Sequence, residues 1–110
     1  MKRRIGLRAR TDFPVIARDG AFSSRCRGIE VSPNGIIIDR GTPIGRRHER
    51  IVLRLELLLP ERVRPVIAVA RPIWSFGTQQ ALRFVRISDA DRLTLAEHTD
   101  LAGRRGALLN

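Results

Sequence analysis

Arginine supplies most of the binding chemistry in this chain. Arg3, Arg4, Arg8 and Arg10 crowd its opening, and Arg46, Arg47 and Arg50 form a second basic run, while Lys2 is the sole lysine. A guanidinium presents a planar fork of donors that grips a phosphate or a base edge in bidentate fashion, whereas an ammonium acts as a point charge. A second segment, Glu30-Val31-Ser32-Pro33-Asn34-Gly35, gathers a carboxylate, a hydroxyl and a glycine within a few residues. The carboxylate accepts from N–H donors, the hydroxyl bonds phosphate or another polar edge, and the glycine permits close backbone approach. These groups point to anion recognition. No nucleophile stands in an arrangement with a base and no carboxylates pair as acid and base, so no catalytic residue and no enzyme activity is expected. His48 and His98 show no ligand spacing with Cys26, so neither a metal site nor a cofactor is expected.

Bulk composition agrees. The 110 residues carry a formal charge of +10, a field that attracts nucleic acid, nucleotides, acidic headgroups or acidic protein surfaces. The hydrophobic fraction of 43% is that of a chain able to bury a core, and the length fits one domain. One cysteine rules out an internal disulfide and fits a reducing compartment. The longest apolar runs, such as Leu57-Leu58-Leu59, are far too short to cross a bilayer, and no export leader is visible. A cytoplasmic location is therefore expected. Five aromatic residues and no RNA-recognition signature argue against a specific nucleic-acid reader, which leaves non-specific nucleic-acid binding, motivated by the charge, as a third reading.

The elements that must position these groups are mostly strands. Residues 1–12 lack periodicity and read as a flexible arginine-rich arm. Phe13 to Arg18 is a short strand closed by Asp19-Gly20, and Ser23 to Val31 is β-compatible. Pro33-Asn34-Gly35 is a tight turn in which Gly35 is suited to a positive φ, and Gly35 to Asp39 is an isoleucine-rich strand. Gly41 to Glu49 is loop. Ile51, Leu53, Leu55, Leu57 and Leu59 alternate with Arg54 and Glu56, the period of a half-buried strand. Val63 to Trp74 is a long β segment in which Pro65 and Pro72 imply edges or bulges, and Ala81 to Ile87 is a further strand. Ser88 is an N-cap for a helix with Asp89 and Asp91 in its first turn, Leu93, Ala96 and Leu101 on its apolar side with Leu95 adjacent, and Gly103 at its end. About six strands separated by turns suggest a small barrel or sandwich, with the helix covering one opening. Trp74 is expected in the core, Cys26 as a core or half-buried thiol, and both histidines on the surface.

Taken together, Arg4-Ile5-Gly6-Leu7-Arg8, then Ser32 and Gly35, then Ala81 to Ser88 followed by Asp91-Arg92, resemble the PilZ family of bacterial cyclic di-GMP receptors. The family opens with Arg-x-x-x-Arg and carries [Asp/Asn]-x-Ser-x-x-Gly downstream. Glu30 stands where the family has Asp or Asn. The resemblance spans residues 3 to 101. It implies a mostly β fold, a six-stranded antiparallel β-barrel with a C-terminal α-helix, over residues 13–102 after the 1–12 arm, with 103–110 a mobile tail. It also implies a cyclic di-GMP ligand held by Arg3, Arg4, Arg8, Glu30, Ser32 and Gly35, and signalling to an unidentified effector protein. Because Glu30 adds a methylene to the family's aspartate, the alternative is a degenerate adaptor that binds a protein partner without nucleotide.

Overall fold

A computed structural model describes residues 8–45, 51–104 and 108–109. Six strands form a closed antiparallel barrel: β1 (Arg8–Asp19), β2 (Phe22–Ser32), β3 (Gly35–Asp39), β4 (Leu53–Leu57), β5 (Val66–Phe76) and β6 (Gln79–Ile87). The order around the sheet is β2-β3-β6-β5-β4-β1, and pairing of β1 with β2 closes it. Closure leaves no long unpaired edge among these strands. The helix α1 (Asp89–Arg104) follows β6, and a two-residue strand, β7 (Leu108–Leu109), pairs with Arg8 and Ala9 of β1. No helix among the described residues is long and apolar enough to cross a membrane.

The barrel is the one the family resemblance implied, with its boundaries moved. β1 begins at Arg8, so Arg8 to Asp12 of the expected arm are strand; Ala9 is fully buried and pairs with Val31. Polar residues at Arg8, Arg10 and Asp12 hid that start, because only one side of the ladder is dry. At the other end, Gly103 and Arg104 belong to α1, and Leu108 and Leu109 pair with β1, so the 103–110 segment is partly regular structure. Met1 to Leu7, including Arg3 and Arg4, and the Arg46–Arg50 run with His48, lie outside the described residues.

The core follows from strand alternation. Leu53, Leu55 and Leu57 of β4, together with Leu59, are at most 2% exposed, as their spacing requires. Phe13, Val15 and Ala17 of β1, Ile36 and Ile38 of β3, and Val66, Ala68 and Ala70 of β5 meet them inside, with Cys26 buried among them. Turns use glycine where the chain needs a left-handed residue: Gly20, Gly41 and Gly77 have positive φ. Gly35 does not.

The helix buries a different face from the one hydropathy suggests. Leu95, His98, Thr99 and Ala102 are buried, at helical spacings of three and four, while Leu93 and Leu101 are exposed. His98 is therefore not a surface residue. Its Nδ1 bonds Glu61 Oε1, its Nε2 meets Thr11 Oγ1 at 3.2 Å, and its ring stands edge-on to Phe13. Those polar partners let an imidazole replace an aliphatic side chain on the buried face. At the helix start, the Asp91 N–H donates to Ser88 Oγ at 3.1 Å, the expected cap. Asp91 Oδ2 in turn accepts from the Ile67 N–H, tying the first turn to β5.

Candidate functional site

Bulges set which side chains reach the outer face of the barrel. On β2, Cys26 and Gly28 face inward, and simple alternation would turn Glu30 inward too. Ile29 breaks the count. Gly28 pairs with Ile38 and Glu30 with Ile37, leaving Ile29 extra against β3. Across the other ladder, Thr11 and Asp12 stand against Ile29 alone. The shift buries Val31 and puts Glu30 outside. Ile73 does the same on β5. Pro72 pairs with Leu82 and Trp74 with Ala81, so Ile73 is extra beside the proline that the sequence marks as a bulge.

With those registers, two rows of outward residues run side by side across four strands. One is Ser32, Gly35, Arg83 and Arg71 on β2, β3, β6 and β5. The other is Glu30, Ile37, Ala81 and Trp74 on the same strands. Small residues in the middle, Gly35 and Ala81, lie between larger ones at the sides. The result is an open cleft of about 570 Å³ whose lining includes Arg8, Glu30, Ser32, Gly35, Trp74 and Arg83.

Arg8 reaches the cleft from the first residue of β1, where its guanidinium lies 3.3 Å from Glu30 Oε1. That oxygen is buried and accepts no hydrogen bond among the described residues, so the pair is held by charge, without directed bonding. Ser32, 6% exposed, closes the turn: its Oγ accepts the N–H groups of Asn34 (3.1 Å) and Gly35 (3.2 Å). Arg92 of α1 fastens the turn from outside, donating through Nη1 to the Pro33 carbonyl and to Asn34 Oδ1, each at 3.0 Å. The Asn34 carbonyl accepts the Phe84 N–H at 2.9 Å. Gly35 is required by packing: a Cβ there would lie 2.5 Å from the Leu82 carbonyl oxygen. Its value to the fold is close approach between β3 and β6, not left-handed backbone.

Four of the residues picked out in the sequence, Arg8, Glu30, Ser32 and Gly35, thus line one cleft. Arg3 and Arg4 lie outside the described residues. The structure adds Asn34, Ile73, Trp74, Arg83 and Arg92 to that lining. Trp74 is 45% exposed and stands in the cleft, not in the core. The sequence signal for it is Pro72, which marks the bulge that turns the tryptophan outward; its register with Ala81 requires the folded sheet. A second cleft, about 540 Å³ around Cys26 and Arg40, includes none of the predicted residues. There burial pushes the Cys26 thiol up from its ordinary range, Arg40 opposes the shift and Asp39 adds to it. Among the described residues no cluster of three or more His, Cys, Asp or Glu side chains is arranged to hold a metal.

No protein-family model matches the chain, and no curated protein matches it in sequence. Among solved structures it is similar to that of Bacillus subtilis Inhibitor of motility (MotI/DgrA), with a TM-score of 0.79 and 18% sequence identity. The superposition covers 96% of this chain and 53% of the other, so the chain spans about half the length of that protein. At this identity the likeness is one of fold: nearly all of this chain adopts the same barrel-and-helix architecture as part of that motility inhibitor.

Proposed function

We propose that the chain is a non-enzymatic receptor for cyclic di-GMP, which it holds in the β2–β3–β6–β5 cleft, and that it reports the bound state to a partner protein. The observation that carries this reading is convergence. Arg8 and the Glu30–Gly35 segment, separated in sequence and resembling the two halves of the PilZ motif, line the same cleft. The fold likeness to the motility inhibitor supports it.

The chemistry fits a guanine dinucleotide. Arg8, with Arg3 and Arg4 from the preceding residues, forks onto phosphate oxygens or onto guanine O6 and N7. The partly exposed Glu30 carboxylate, turned away from Arg8, accepts from guanine N1–H and N2–H. Ser32 Oγ keeps its own proton to donate, since both its contacts are accepted ones. Trp74 offers an aromatic face on which a base stacks. Arg92 links the Pro33–Asn34 turn to α1, giving ligand binding a physical route to a second surface.

Isothermal titration with cyclic di-GMP, against GTP and cyclic GMP as controls, tests the reading. Trp74 is the chain's single tryptophan, so its emission is a second readout. Saturable heat and a change in emission with cyclic di-GMP alone are expected; no heat at tens of micromolar with folded protein overturns the proposal. One observation favours a second reading, that of a protein-binding adaptor without nucleotide: Glu30 already lies against Arg8 and occupies a group the ligand needs. Gain of binding from nothing in Glu30→Asp identifies that case.

A further inference from the structure

We infer that Arg83 in the cleft lining, with its register partner Arg71 just outside that lining, forms a second anion-binding pole, separate from the Arg8–Glu30 pole. The inference rests on the cleft being the ligand site, and it specifies that the ligand carries more than one anionic group.

Arg83 of β6 and Arg71 of β5 are register partners and both are exposed, so their outward side chains stand side by side. Like charges in that position repel and destabilise a sheet. Neither arginine has an ion-pair partner among the described residues. Glu30 is the sole carboxylate among the described residues of the cleft lining, and it lies beside Arg8 with β3 between it and Arg83. A fold that keeps two guanidiniums without an ion-pair partner among the described residues side by side, one in the cleft lining and one next to it, sacrifices stability there, and a bound anion is the group that restores it.

The separation of the two poles defines the ligand. Ala9 pairs with Val31 and Arg10 with Glu30, and continuing that register sets Arg8 level with Ser32. Ser32, Gly35 and Arg83 extend the same row. From β1 to β6 there are three strand spacings, roughly 14 Å along the sheet at about 4.8 Å each. A phosphate seated beside Arg8 at the Glu30 side of the cleft leaves Arg83 free for a second anionic group. A ligand with a second phosphate, or a second bound molecule, reaches both across the neutral trough of Ser32 and Gly35.

The test compares Arg83→Ala, Arg71→Ala and Arg86→Ala at fixed ionic strength. Arg86 is an exposed arginine of β6 that neither lines the cleft nor pairs with a residue that does, so its removal subtracts the same net charge away from the proposed pole. Arg83→Ala and Arg71→Ala should each weaken cyclic di-GMP binding on the order of tenfold or more, the effect of one charge-assisted contact, while Arg86→Ala stays close to wild type. Arg83→Ala and Arg71→Ala should melt at or above the wild-type temperature, because repulsion is relieved. Equal losses in all three variants, or none in Arg83→Ala, overturn the inference while leaving the receptor reading intact. If the wild-type protein does not bind cyclic di-GMP, that reading fails, and the same variants are titrated with inorganic pyrophosphate. A pyrophosphate-induced rise in melting temperature that Arg83→Ala and Arg71→Ala lose and Arg86→Ala keeps supports the second pole; an identical response in all four proteins overturns it.

Discussion

The Arg8 guanidinium lies 3.3 Å from the carboxylate of Glu30 across the β1–β2 ladder. The carboxylate oxygen it faces is buried and accepts no hydrogen bond among the described residues. A ligand that donates to Glu30 while accepting from Arg8 completes both groups at once. A shorter carboxylate leaves Arg8 freer to reach it.

Glu30→Asp is therefore expected to tighten cyclic di-GMP binding, by roughly 1 kcal/mol, or about fivefold, through withdrawal from Arg8 and a smaller loss of side-chain entropy. Isothermal titration of both proteins measures it, and an unchanged or weaker Kd contradicts the role given to the longer side chain.

Arg8→Ala should weaken binding by roughly 1.5–3 kcal/mol, the range for a hydrogen bond to a charged group. Its melting temperature should barely move, because the Arg8 side chain is 52% exposed and such pairs contribute little to stability. A large melting shift with unchanged binding would place Arg8 in the fold and not in the site.

Gly35→Ala should behave in the opposite sense. The added methyl meets the Leu82 carbonyl oxygen at 2.5 Å, and backbone on both sides must move. A loss of about 1–3 kcal/mol in chemical denaturation is expected. Weakened binding in this variant reports distortion of the β3–β6 ladder, so a Gly35 substitution alone does not locate a ligand contact.

Alkaline pH provides a check on the core. Burial holds the Cys26 thiol above its ordinary value of 9.0, so the folded chain keeps a proton that the unfolded chain releases. The resulting stability is fully present below that value and is lost as pH rises through the raised folded value. Denaturation midpoints should decline more steeply above pH 9.0 in the wild type than in Cys26→Ala. The native thiol should also react slowly with disulfide reagents at neutral pH.

Several parts of the fold were legible because the local pattern and the tertiary answer coincide. The leucines of β4 alternate at a period that only a half-buried strand satisfies, and Ser88 caps the helix with bonds made within its own first turn. The helix face was not legible. His98 is buried because Glu61 and Thr11, far away in sequence, supply its partners, and no hydropathy value of the helix alone contains that information.

For the site, residue types alone pointed to an arginine- and carboxylate-based recogniser of an anion, with Arg8, Glu30, Ser32 and Gly35 among its parts. Only the tertiary structure decided that these four share a cleft with Trp74 and Arg83. The physical reason is register. One extra residue at Ile29 turns Glu30 out of the barrel, and another at Ile73 sets Trp74 level with Ala81. Alternation along a single strand does not reveal such a slip, because it is fixed by hydrogen bonds to neighbouring strands.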